Sequence, residues 1–162
     1  GFYLFIKSFP DNDTGVRKGR VLSHTLIVDL KDLASVINLD KLFAHFLLKP
    51  EKEAELDPIV FDNVSSDPTQ IINDNSREAA VINAMLDHSS YHNIIVWIGE
   101  EGYLPLVSQI WSQIDGNLKA KIKFGVGFNP QKVDTQNFSI LYAFEEYENK
   151  WKRQGAVAYT YR

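Results

Sequence analysis

Apolar and polar residues alternate with a period of two at the start of the chain, which is the spacing of a half-buried strand. From Phe2 to Phe9, Tyr3, Phe5 and Lys7 oppose Phe2, Leu4, Ile6 and Ser8. Pro10-Asp11-Asn12-Asp13-Thr14-Gly15 then supplies residues that reverse a chain, and a second strand ends near Asp29, so the opening predicts a hairpin. In that second strand Leu22, His24, Leu26 and Val28 share one face, while Val21, Ser23, Thr25 and Ile27 share the other. An imidazole therefore stands in the more apolar row.

Helical spacing follows. Asp32 or Asn38 is placed to cap short helices carrying Leu33, Val36 and Ile37, then Leu39, Leu42, Phe43 and Phe46. From 49 to 75 the pattern lapses into an irregular connection, with Pro50, Pro58, Pro68 and many acids around Ile59-Val60-Phe61. Beyond it, Asn75 or Ser76 opens a helix to about Asp87 with Ala79, Ala80, Val81, Ile82 and Met85 as its apolar side. Ile94 to Ile98 is an unbroken apolar run, which suits a strand covered on both faces. Gly99 ends it, and Glu100-Glu101 precede a helix carrying Leu104, Val107, Ile110, Trp111 and Ile114. Strands are expected over Leu118 to Phe128, Phe138 to Phe144 and Gly155 to Tyr161, with a short charged helix from Glu145 to Arg153.

These elements predict an α/β protein, with α+β as the nearest alternative: a mixed sheet, an N-terminal hairpin and flanking helices in one compact domain over 1–162. A chain of 162 residues buries roughly 70% of its unfolded surface, enough for one core. Because the chain opens on Gly1 and enters a strand at once, it is expected to be a segment of a longer multidomain protein.

Composition narrows the chemistry. The net charge of −4 and pI near 5.5 argue against general affinity for nucleic acid. The basic residues that would serve it locally are Arg17, Lys18 and Arg20 with Lys119, Lys121 and Lys123. With no cysteine, disulfides, thiolate catalysis and cysteine-zinc sites are excluded, and a cytoplasmic location is the simplest setting. No apolar run approaches the ~18 residues of a membrane span.

No complete catalytic or cofactor signature is present, so no catalytic residue, metal or cofactor is assigned. His88 and His92 are four apart but lack a metalloprotease pattern. Gly125-Val126-Gly127 lacks the third glycine and the helix of a dinucleotide fingerprint and reads as a strand. Glu100-Glu101 and Glu145-Glu146 read as solvated helix termini. The candidates for interaction or ligand binding are Arg17, Gly19, Arg20, Ser23 and His24. Imidazole moves protons near neutral pH, and the cationic turn suits an anion, with Gly19 permitting close backbone approach. Ser23 and His24 point to opposite faces of a strand, which counts against a nucleophile pair.

The segments Gly1-Phe2-Tyr3-Leu4-Phe5-Ile6-Lys7-Ser8-Phe9-Pro10-Asp11 and Arg17-Lys18-Gly19-Arg20-Val21-Leu22-Ser23-His24-Thr25-Leu26-Ile27-Val28 resemble the N-terminal domain of the bacterial GTPase-associated protein family of conflict systems. Arg17, Gly19, Val21, Ser23 and His24 carry the likeness most specifically. Lys119 to Pro130 and Phe138 to Leu141 also resemble later strands of that family. Lys18, Arg20 and Leu22 depart from the family's proline, small residue and tryptophan. The resemblance implies a module of a multidomain cytoplasmic protein that works beside a GTPase, or other conflict-system proteins and further domains of the same chain, in anti-phage defence; a complete core pattern without a complete active site adds the expectation of a non-catalytic interaction or adaptor domain. It leaves homo-oligomers open and supplies no catalytic residues. The rival reading is a small-ligand sensor or hydrolase-like enzyme, with His24 as acid or base, Arg17 or Arg20 as an anion site, and Asp29 or an acid from 49–75 converging in one pocket.

Overall fold

Alternation at the start of the chain produces strand β1 (Phe2–Pro10), which pairs antiparallel with β2 (Val21–Asp29) in a register from Phe2↔Asp29 to Pro10↔Val21. The computed structural model describes residues 1–11, 15, 17–47, 58–60, 77–86, 94–133, 139–153 and 158–161. The expected turn at 12–14 and most of the 49–75 connection lie outside these residues. The chain divides into two compact units, Gly1–Ser66 and Asp67–Arg162.

In the first unit the hairpin closes through backbone bonds from Asp11 N to Arg20 O (2.9 Å) and from Arg20 N to Arg17 O (3.2 Å). Gly19 sits at φ 84°, a left-handed conformation that side-chain-bearing residues rarely adopt. After β2, a 3-10 turn (Leu33–Ser35) and helix α1 (Leu39–Phe43) follow. Asn38 caps α1 by accepting a hydrogen bond from Lys41 N at 3.0 Å. Asp32 occupies the cap position of the 3-10 turn without making a side-chain cap bond. The period of two and the helical spacing together bury Phe5, Leu26, Leu33, Val36, Leu39, Leu42 and Phe46. Ile37, expected among them, is exposed.

The second unit is built on a four-stranded parallel sheet of order β4-β5-β3-β6, in which β3 (Ile94–Ile98) is flanked by β5 (Ser139–Ala143) and β6 (Ala158–Tyr161), and β4 (Lys123–Val126) borders β5. Every residue of β3 is buried, as a strand covered on both faces requires. Helices α2 (Arg77–Leu86), α3 (Tyr103–Gln113), α4 (Gly116–Lys119) and α5 (Glu148–Lys152) complete the unit. With the antiparallel hairpin this makes a mixed α/β protein, in agreement with the sequence.

Two expectations are corrected. The strand foreseen from Leu118 to Phe128 is split, because Asp115 Oδ1 accepts from Asn117 N (2.8 Å) and Leu118 N (2.9 Å) and starts α4. Only Lys123–Val126 is strand. Leu104 is exposed, and the buried stripe of α3 runs through Tyr103, Leu106, Val107, Ile110 and Trp111. The Tyr103 hydroxyl sets that phase: it donates to Ile140 O (2.6 Å) and accepts from Gly125 N (2.8 Å), fastening the helix start to β5 and β4.

Candidate functional site

The two faces of the hairpin differ sharply. Its inner row holds Tyr3, Phe5, His24 and Leu26, with Tyr3 and Phe5 rings 4.8 Å apart and Phe5 6.0 Å from Phe43. Burial pushes the Tyr3 phenol far above the ordinary tyrosine range, because the phenolate would lose its water. Its outer row holds Phe2, Leu4, Ile6, Val21 and Ile27, exposed from 52% at Leu4 to 68% at Phe2. Leu4 stands opposite Ile27, and Ser8 opposite Ser23, whose hydroxyls lie 2.7 Å apart.

His24 is half-buried, and its Nδ1 accepts a hydrogen bond from Leu47 N at 2.9 Å. An Nδ1 that accepts must be unprotonated, so a neutral ring carries its proton on Nε2. Phe46 meets the imidazole edge to face at 5.6 Å. The histidine thus ties β2 to the chain leaving α1.

A cavity of about 450 Å³ adjoins this ring. Leu26, Val28, Val36 and Leu42 form its apolar wall, and His24, Asp29, Asp32, Ser35 and His45 supply polar groups. Pro58 and Ile59 border it as well. The Asp29 carboxyl is held below the ordinary carboxylate range, first by a hydrogen bond from Lys31 N (3.1 Å); the Lys31 ammonium is 3.5 Å away. The Ser35 hydroxyl donates to Asp32 O at 2.6 Å.

The residues proposed from sequence do not converge. Arg17, Gly19, Arg20 and Ser23 line no part of the cavity beside His24. Arg20 Nε pairs with Asp11 at 3.1 Å, which stabilises the turn, and Ser23 belongs to the outer face. Of the acids proposed to join His24, Asp29 reaches the cavity lining. Asp32, Ser35 and His45 were missed, since their approach to β2 depends on how the turn after it folds back. No signal in the sequence marks that approach.

In the second unit, Lys119 is buried with its ammonium 5.5 Å from the Trp111 ring, and burial lowers its pKa. Lys119 therefore offers little surface to the proposed basic row of Lys119, Lys121 and Lys123. Gly127 is where the Gly-x-Gly matters: a Cβ there would lie 2.7 Å from Trp151 Cζ2. The glycine makes room for the indole, whose Nε1 donates to Gly127 O at 3.3 Å. Glu100, Glu101, Glu145 and Glu146 are exposed beyond the ends of β3 and β5. Loss of water, then the charge of Glu100, raises the pKa of Tyr142. No group of metal-ligating side chains occurs among the described residues, nor is any helix among them long and apolar enough to cross a membrane.

Comparison with curated proteins and with solved structures finds no match. The segments Lys119 to Pro130 and Phe138 to Leu141, which also carry the likeness in sequence, lie beyond the part that a family model matches. Residues 1–46, which hold the hairpin, the basic turn, His24 and α1, match the family described as GTPase-associated protein 1, N-terminal domain type 1, the family that the two strand motifs resemble.

Proposed function

We propose that this chain is a non-catalytic interaction domain of a cytoplasmic GTPase-associated protein, acting as an adaptor beside a GTPase in a bacterial conflict or anti-phage system. In this reading the outer face of the hairpin is the surface that a partner covers. The observation that carries it is the exposed row Phe2, Leu4 and Ile6 with Val21 and Ile27, inside the residues the family model matches. Large contiguous apolar patches on a soluble surface are typical of interaction sites. Asp29, at the end of β2 opposite Phe2, is the one charged residue of the two outer rows, so little charge must be stripped of water when a partner docks. The bond from Leu47 N to His24 Nδ1 supports a structural part for the imidazole, and the ion pair with Asp11 supports the same for Arg20. Arg17, Gly19 and the rest of the basic turn hold the two strands in register and so shape the surface.

The test is co-expression of tagged chain with the GTPase encoded in its own operon. Ile6→Glu places a charge in the centre of the outer row without touching the inner one. Co-purification is expected to be lost while the far-ultraviolet spectrum and Tm stay as they were. Undiminished association of the Ile6→Glu chain, or an operon that encodes no GTPase, overturns the reading.

A further inference from the structure

The geometry points to a binding site for a small amphipathic amine in the cavity beside His24, which runs along β2 from His24 to Asp29. This goes beyond the docking role of the outer face and does not depend on it.

The charge of the lining argues for the class of ligand. Asp29 and Asp32 border the cavity, and no lysine or arginine is among the described residues that line it. The Lys31 ammonium engages Asp29 from an exposed position, so Asp32 is the carboxylate left to meet a ligand's charge. An anion would face both carboxylates, and like charges repel. An ammonium instead makes a charge-assisted hydrogen bond. The sequence places the ligand's complement in the cations Arg17 and Arg20; the fold reverses that sign, because neither reaches the cavity.

Shape and hydrogen bonding agree. The wall of Leu26, Val36 and Leu42 offers an apolar surface for a ring or short aliphatic body. About 450 Å³ lies within the range of small-molecule pockets. With Nδ1 engaged by Leu47 N, a neutral His24 has Nε2–H as its remaining donor, suited to a ligand oxygen. The cavity therefore selects an apolar body bearing an ammonium, and a hydroxyl or carbonyl adds a further contact.

Two probes with the same ring and opposite charge test this: tryptamine and indole-3-propionate, titrated into the full chain and followed by amide and imidazole NMR signals. Tryptamine is expected to shift the Leu47 amide and the His24 ring to saturation, whereas indole-3-propionate leaves them in place. Asp32→Asn removes the charge at an exposed side chain and is expected to weaken tryptamine binding about five-fold or more, with the remaining amide signals unmoved. Equal response to both probes, no shift at Leu47 and His24 with tryptamine, or unchanged affinity in Asp32→Asn overturns the proposal. Ile6 does not line the cavity, so either result can fail without the other.

Discussion

The hairpin and the parallel sheet solve the same problem, how to stabilise paired strands, in different ways. β3 lies between two parallel neighbours and is buried along its whole length, so its five residues are all apolar. β1 and β2 are buried on one side only, yet their exposed side is also apolar at five positions. An antiparallel pair that faced only water would ordinarily carry polar residues there. The comparison separates apolar residues needed for folding from apolar residues left over after folding, and the second kind is what motivates the docking reading.

The largest effect that would sharpen this contrast is expected from Trp151→Ala. Trp151 is 1% exposed and packs with Ile94, Val96, Ile98, Leu141 and Ala143, so its truncation should cost about 3–5 kcal/mol in urea unfolding. A loss no greater than that of a surface substitution would break the view of the parallel sheet as the more deeply buried region. Gly127→Ala comes next. The new methyl meets the Trp151 indole across a gap already closed, and overpacking of this kind costs about 1–3 kcal/mol, read as a lower urea midpoint.

The smallest effect concerns the inner row of the hairpin. Because the Tyr3 phenol has a raised pKa in the fold, the protonated form belongs to the native state, and the unfolded chain gives up its proton first. Stability from this group is complete below the ordinary tyrosine pKa near 10.0 and is lost as pH rises above it toward the native value. Tyr3→Phe should therefore flatten the alkaline fall in Tm that the unmodified chain shows above that pH. An unchanged alkaline slope would mean that the inner row is no less hydrated than the outer one.

Some of this was plain from local pattern. Two-residue alternation identified the hairpin and the shared face of His24 and Leu26, and the unbroken run Ile94 to Ile98 identified a doubly covered strand. Asn38 was legible as a cap because its short side chain reaches a backbone N–H three residues on. Leu118 to Phe128 misled because its apolar residues suit a strand, while a single aspartate, Asp115, tips the first part into a helical turn. The site was the least legible part. Arg17, Arg20 and His24 are close in sequence, yet strand geometry sends neighbours to different faces, and Arg20 is held by Asp11.

What the amino-acid order determined by itself, then, is periodicity: which residues share a face, where a chain reverses, which run is covered twice. It also holds the strand motifs by which residues 1–46 match a family. Tertiary structure alone decided that the Leu47 backbone would occupy His24 Nδ1 and that carboxylates rather than arginines would border the adjoining cavity. The physical reason is distance along the chain. Periodicity arises from dihedral angles of successive residues, whereas the cavity is made by groups from β2, the turn after it and the end of α1, brought together only when their apolar sides are buried.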